Sequence, residues 1–267
     1  MKGRVLVVAG SDSGGGAGIQ ADIKTVTALG GYAATALTAL TAQNTEGVFA
    51  IHDVPADFVA RQMRVVLSDI GADCVKTGML HRADIIDAVC EVLEAEDGAI
   101  PLVVDPVMVA KGGASLITEA AVARLKERMF PLATVLTPNL PEAEALSGLR
   151  LSDAGDAAAV AGALAALGPK VVLVKGGHME GDKVTDMVFE GGKEVARFES
   201  ERLDTTNTHG TGCTMASAIA TGIAQGLAIV DAVARAHRYV HEAILAAPGF
   251  GHGHGPLDHG HTMRPFD

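Results

Sequence analysis

Short β-branched runs alternate with helix-like stretches along most of this chain, and that alternation restricts the fold more than any other feature. Runs at residues 4–10, 72–79 and 101–108 read as strands, followed by helical patterns at 17–30, 83–96 and 118–132. Further strand-like runs lie at 134–139 and 170–175, each ending in a polar or glycine turn. The helical readings rest on spacing: Ile85, Ile86, Val89, Val92 and Leu93 form one apolar stripe, and Val122, Leu125 and Met129 step by three and four. The order predicts an α/β fold, a central mostly parallel sheet with helices on both faces. Residues 184–189 and 194–198 flank Glu190-Gly191-Gly192-Lys193 and read as a small β-hairpin at a sheet edge. Residues 211–227 and 230–246 read as two helices with a short turn between them. No repeat and no proline- or serine-rich linker divides the sequence, so residues 1–267 read as one domain. The glycine- and histidine-rich tail, residues 249–267, has no periodicity and is expected to be irregular.

Charge and composition exclude several functions. The net charge of −11 and an aromatic content of 3% oppose the basic, base-stacking surface of a nucleic-acid binder. The first apolar run is too short for a signal peptide and flows into a glycine loop, and the apolar stretch at 213–230 is interrupted by Thr, Ser, Gln and Gly. A soluble, cytoplasmic protein with no membrane span is the expectation. Cys74, Cys90 and Cys213 are widely spaced without a CxxC, which argues against both a disulfide framework and a zinc site.

Polar residues and glycines gather where the predicted strands end: Gly10 and Ser11, Gln43 and Asn44, Asp105, Asn139, and Lys175 with Gly176. Each alone reads equally as a turn former. Together they predict the rim of one pocket, because ligands of an open α/β sheet bind beyond the carboxyl ends of its strands. The segment Asn207-Thr208-His209-Gly210-Thr211-Gly212-Cys213 leads into a helix of small residues, where bare backbone amides and the helix dipole make an anion site suited to phosphate. Cys213 falls in the first turn of that helix, where the dipole is expected to lower its pKa below the free value of about 8.5. Cys74 and Cys90 read as small core residues. The loop at residues 10–18 is rich in glycine but meets neither GxGxxG nor GxxxxGK[ST], which disfavours a dinucleotide-binding oxidoreductase and a P-loop nucleotidase.

Seven segments, in order along nearly the whole chain, carry a family resemblance. They are GSDSGGGAGIQ (10–20), TAQNT (41–45), KTGML (76–80), DPVMVAK (105–111), TPNLPEAE (137–144), VKGGH (174–178) and THGTGC (208–213). The chain resembles the ribokinase-like kinases, and within them the hydroxymethylpyrimidine/phosphomethylpyrimidine kinases, in which a cysteine stands in place of the aspartate of the GxGD motif. Gly112-Gly113 and Ser147 are small departures from the usual pattern. The resemblance implies ATP and Mg2+ as cofactors and a homodimer. It implies Cys213 as the base for a hydroxymethyl group and the amides of Gly210, Thr211 and Gly212 as the anion hole. Asp105, Asn139 and Glu142 would order magnesium and its waters, with Asp105 and Glu142 nearest the metal. Lys175 and Thr208 would serve the nucleotide. Gln43, with the backbone near Gly10, Met79 and Val107, would hold an aminopyrimidine.

The same resemblance implies two successive transfers, to the alcohol and then to the monophosphate. Lys111 is a candidate screen for the extra phosphate. Pyridoxal kinase, of the same fold, is the alternative reading, and a non-catalytic pyrimidine sensor is a more distant one. The tail histidines His252, His254, His259 and His261 lack an accompanying cysteine or carboxylate cluster and read as ordinary tail residues rather than a metal site.

Overall fold

The structure, a computed structural model, describes residues 2–96, 100–109, 113, 116–151, 156–178 and 181–263. Lys111 lies outside them. The sheet is assembled from β1 (Arg4–Asp12), β2 (Tyr32–Gln43), β3 (Val48–Asp53), β4 (Cys74–Thr77), β5 (Leu102–Val104), β6 (Val135–Leu136), β7 (Val171–Val174), β8 (Lys183–Glu190) and β9 (Lys193–Glu201). Their spatial order is β3-β2-β1-β4-β5-β6-β7-β8-β9. The strands from β2 to β7 run parallel, and antiparallel pairs close both edges. The β8–β9 hairpin is the one the Gly191-Gly192 turn predicts. The antiparallel strand β3 at the opposite edge is not anticipated by the sequence reading.

Helices α1 (Gly18–Ala28), α7 (Thr211–Ala224) and α8 (Ile229–Leu245) cover one face, joining Val5, Val7, Cys74 and Val103 in one apolar layer. Helices α2 (Ala56–Asp69), α3 (Ala83–Glu94), α4 (Glu119–Arg124), α5 (Leu140–Ser147) and α6 (Ala157–Ala165) cover the other, packing on Leu6, Val8, Val75 and Val104. Odd and even residues of one strand therefore face different helices, as the two-residue repeat requires. The stretch expected as one helix over 118–132 is instead three pieces: α4, a π turn at Leu125–Met129 and a 3-10 turn at Phe130–Leu132. Pro131 cannot donate to a fourth-residue carbonyl, which favours the tighter, short-lived turn at this end.

The chain travels outward from β1 to β2 and then returns to place β4 on the other side of β1. That reversal opens a crevice at the carboxyl ends of β1 and β4, the position where open α/β sheets receive ligands. The described part of the tail, to residue 263, is irregular as expected and is fastened across this end. The amide of His254 bonds the Thr45 carbonyl at 2.8 Å, that of His209 bonds the Gly255 carbonyl at 3.1 Å, and His259 is buried with Nε2 2.9 Å from Thr214 Oγ1. Burial pushes the His259 pKa down to about 4. No group of three or more acidic, histidine or cysteine side chains able to hold a metal occurs among the described residues. Nor is any of their helices long and apolar enough to cross a membrane.

Candidate active site

Two glycine loops meet at the crevice, and one carboxylate ties them. Asp12, at the end of β1, accepts from the amides of Gly14 (2.8 Å), Gly16 (3.0 Å) and Ala17 (2.8 Å), with His209 Nε2 2.8 Å from its Oδ2. Burial works against the Asp12 charge, but His209 and the amides more than offset it, and its pKa falls below the ordinary value. Opposite, Gly210 caps α7 in the left-handed region (φ 85°) and lies directly on the Gly16 carbonyl. A turn that tight aims the first amides of α7 into the crevice, where no carbonyl of the same helix can reach them. The Thr211 amide, expected in the anion hole, already faces the Thr208 carbonyl at 3.4 Å. The amides of Gly212 and Cys213 follow it in the first turn of α7.

Most positions singled out from the sequence line one cavity of about 440 Å3, namely Gly10, Ser11, Gln43, Met79, Asp105, Val107, Asn139, Glu142, Lys175 and the Thr208–Cys213 loop, whereas Asn44, Gly176 and Asn207 do not line it. Close packing at the centre is shown by Gly212, where a Cβ would lie 3.2 Å from Lys175 Nζ and 3.5 Å from Asp105 Oδ2. Lys175 Nζ donates to Asp105 Oδ1 at 3.0 Å. Burial opposes the ammonium, yet Asp105 and Glu142 together hold its pKa above the ordinary value. A second cavity of about 220 Å3 shares Asn139, Lys175, Thr208, Thr211 and Gly212 with the first. Val184, Leu203, Met215, Val240 and Ile244 give it an apolar wall, beside Asp186, Arg202 and His237. The two chambers thus meet where the bare amides and Lys175 stand.

Asn139 and Glu142 have a structural duty the sequence reading missed. Asn139 Oδ1 accepts from the Glu142 amide at 2.9 Å and Glu142 Oε2 from the Asn139 amide at 2.8 Å, the capping box that starts α5. Burial pushes the Glu142 pKa up to about 7, against the pull of Lys175 and with the help of Asp105.

Cys213 departs from expectation. It lines the cavity, but its pKa is pushed up to about 12 by burial, and Lys76 lowers it only in part, against Asp22 and Asp105. The dipole of the first helical turn is worth far less than the desolvation of a thiolate inside protein. Cys74 and Cys90 are fully buried, as expected of core residues.

Below Cys213 lies a buried ion pair that the sequence reading also missed. Lys76 Nζ meets Asp22 Oδ1 at 2.8 Å and Oδ2 at 2.9 Å, and Ser217 donates to Asp22 Oδ1 at 2.6 Å. The lysine of KTGML, inside a strand of otherwise apolar and small residues, was the available signal.

Comparison with known proteins follows the same lines. The sequence profile of the phosphomethylpyrimidine kinase family matches residues 12–258. The thiamine biosynthesis bifunctional protein ThiED of Geobacter sulfurreducens is 56% identical over 258 residues, 97% of this chain and 52% of that protein. This chain thus spans about half the length of that relative. The hydroxymethylpyrimidine/phosphomethylpyrimidine kinase of Streptomyces coelicolor is 48% identical, covering 97% of this chain and 95% of its own. Among solved structures, the Staphylococcus aureus pyridoxal kinase in complex with AMP-PCP and pyridoxal superposes with a TM-score of 0.88 at 34% identity, over 97% of this chain and 94% of that one.

Proposed function

The chain belongs to the phosphomethylpyrimidine kinase family, and from that premise we propose that it phosphorylates 4-amino-5-hydroxymethyl-2-methylpyrimidine and then its monophosphate, using ATP. The observation that carries this reading is the meeting of two chambers at Thr211, Gly212 and Lys175. Phosphoryl transfer needs an acceptor and a donor held in line, with cations and fixed dipoles on the moving group, and little covalent chemistry from the protein. The larger chamber suits the acceptor, with Gln43 offering both a donor and an acceptor to the polar edge of the ring. The apolar wall of the smaller one suits the nucleotide base, and Lys175 stands between them for the phosphates.

The hard oxygen donors of Asp105 and Glu142, next to a triphosphate site, fit Mg2+, which is usually held by one or two carboxylates plus substrate phosphates. Bound there, the ion would neutralise charge on the phosphates. Lys175, now paired to Asp105, is placed to turn to the phosphate. Glu142 must be ionised to help hold a cation, so with a pKa of about 7 it makes nucleotide binding weaken as pH falls below 7. In Glu142→Gln, which keeps the capping box, the acid limb of the kcat/KM profile near pH 7 should disappear for the second transfer, and its plateau should fall about tenfold. A limb unchanged in the variant would assign it elsewhere.

Incubation with ATP, magnesium and the hydroxymethylpyrimidine, followed by mass spectrometry, should give mono- and diphosphate. The 34% identity to a pyridoxal-bound kinase favours pyridoxal as the second acceptor to assay. Product from pyridoxal alone would replace the pyrimidine reading with that one.

A further inference from the structure

The strand β4 runs under the catalytic loop, and its alternation sends Cys74 and Lys76 to the face covered by α1 and α7. Cys74 packs there as an apolar residue should. Lys76 is a fully buried ammonium in the same layer, and such a charge is retained only where it is paired. Its partner Asp22 comes from α1, and Ser217 from α7 completes the cluster. Ser217 follows Cys213 by one helical turn, so the two side chains stack on one face of α7. A Cβ on Gly78, which lines the larger cavity, would sit 3.0 Å from Lys76 Nζ. The ammonium therefore lies immediately beneath the cavity floor, close to Cys213.

We infer that Lys76 is a positioning residue of the transfer to alcohol, a fixed cation oriented by Asp22 and Ser217 that stabilises the Cys213 thiolate as the acceptor of the substrate's proton. This rests on the kinase reading above. In the step, the hydroxyl proton passes to Cys213 Sγ and the oxygen's electron pair forms the bond to the γ-phosphorus. The bond from phosphorus to the bridging oxygen breaks, leaving the nucleoside diphosphate, and Cys213 later returns the proton to solvent. Besides Lys76 on β4, the charges that act on Cys213 are Asp22 on α1, Asp105 beyond β5 and Lys175 beyond β7, with the Gly18 amide bonding it as well. Lys76 has the largest effect of these charges, and it and Lys175 favour thiolate. Conversely, burial opposes the Lys76 charge, and Asp22, Cys213 and Asp105 together hold its pKa above the ordinary value.

Lys76→Met alone strands a buried carboxylate and risks unfolding. The test therefore uses Asp22→Leu/Lys76→Met as well, because apolar replacement of a whole buried pair is commonly tolerated. Cys213 is partly exposed while Cys74 and Cys90 are buried, so iodoacetamide at pH 8.5 reads Cys213 in the folded protein. In the folded double variant alkylation should slow about tenfold, and kcat for the first transfer should fall by a similar factor with KM little changed. The second transfer should be unaffected. Alkylation within about twofold of wild type, or equal loss in both transfers, would make the pair a structural feature and overturn the inference. Wild-type protein unable to phosphorylate the pyrimidine would instead defeat the kinase reading, and the alkylation rates would still report the hold of Lys76 on Cys213.

Discussion

Gly210→Ala is expected to leave less than about one thousandth of wild-type activity in both transfers, by analogy with the loss of anion-hole donors elsewhere. Two physical effects coincide at this residue. Its φ of 85° disfavours any side chain by about 1 kcal/mol. More severely, a Cβ would collide with the Gly16 carbonyl, which is backbone and cannot swing away. The two glycine loops would have to separate, and the Asp12 carboxylate would lose its grip on one or the other. The amides of Gly212 and Cys213 would then no longer face the junction of the chambers. Steady-state rates with each acceptor, together with a melting curve, test this. A folded variant within about tenfold of wild type would show that the anion hole does not depend on this contact. Gly212→Ala is the gentler companion, since its nearest neighbour is the flexible end of Lys175 at 3.2 Å.

The alternation of strands and helices made the sheet legible because its central parallel strands are buried on both faces and must be apolar throughout, as Val5–Val8 and Val171–Val174 are. Edge and surface elements carried weaker signals. In β3, Phe49 is exposed and four apolar residues are followed by His52 and Asp53 in succession, so the period-two alternation of a strand is missing. Helix α6 is mostly alanine, with only Val160 and Leu164 to mark a stripe. The π turn after α4 has no sequence marker except the later Pro131. At the site, strand-end polarity and the GTGC loop were enough to bring most of the chosen positions to one cavity, though not Asn44 or Gly176. What the sequence could not show was how those groups pair with each other. Lys175 bonds Asp105, and Asp12 with His209 joins the loops, pairings between segments far apart, whereas the Asn139–Glu142 cap of α5 is local and its Asn-x-x-Glu spacing was a signal left unread.

The thiol of Cys213 shows why that matters for mechanism. A cysteine at a helix start suggests a base ready near neutrality, but burial sets its pKa at about 12. Only a small fraction is then thiolate in the physiological range. An alcohol must lose its proton, whereas a monophosphate is already anionic, with a second pKa of about 6. The first transfer should therefore accelerate about tenfold per pH unit from 7 to 9, above the Glu142 limb, while the second stays flat. Cys213→Ala should lower the first transfer about 10²–10⁴-fold, abolish its slope and change the second less than about tenfold. Cys213→Asp places a carboxylate at the same point, ionised throughout this range unless burial raises it as far as it raises the thiol. That variant should recover much of the first transfer with a flattened profile. Parallel profiles for the two transfers in the wild type, measured with purified monophosphate, would show that Cys213 takes no proton. The amides and Lys175 would then account for both steps.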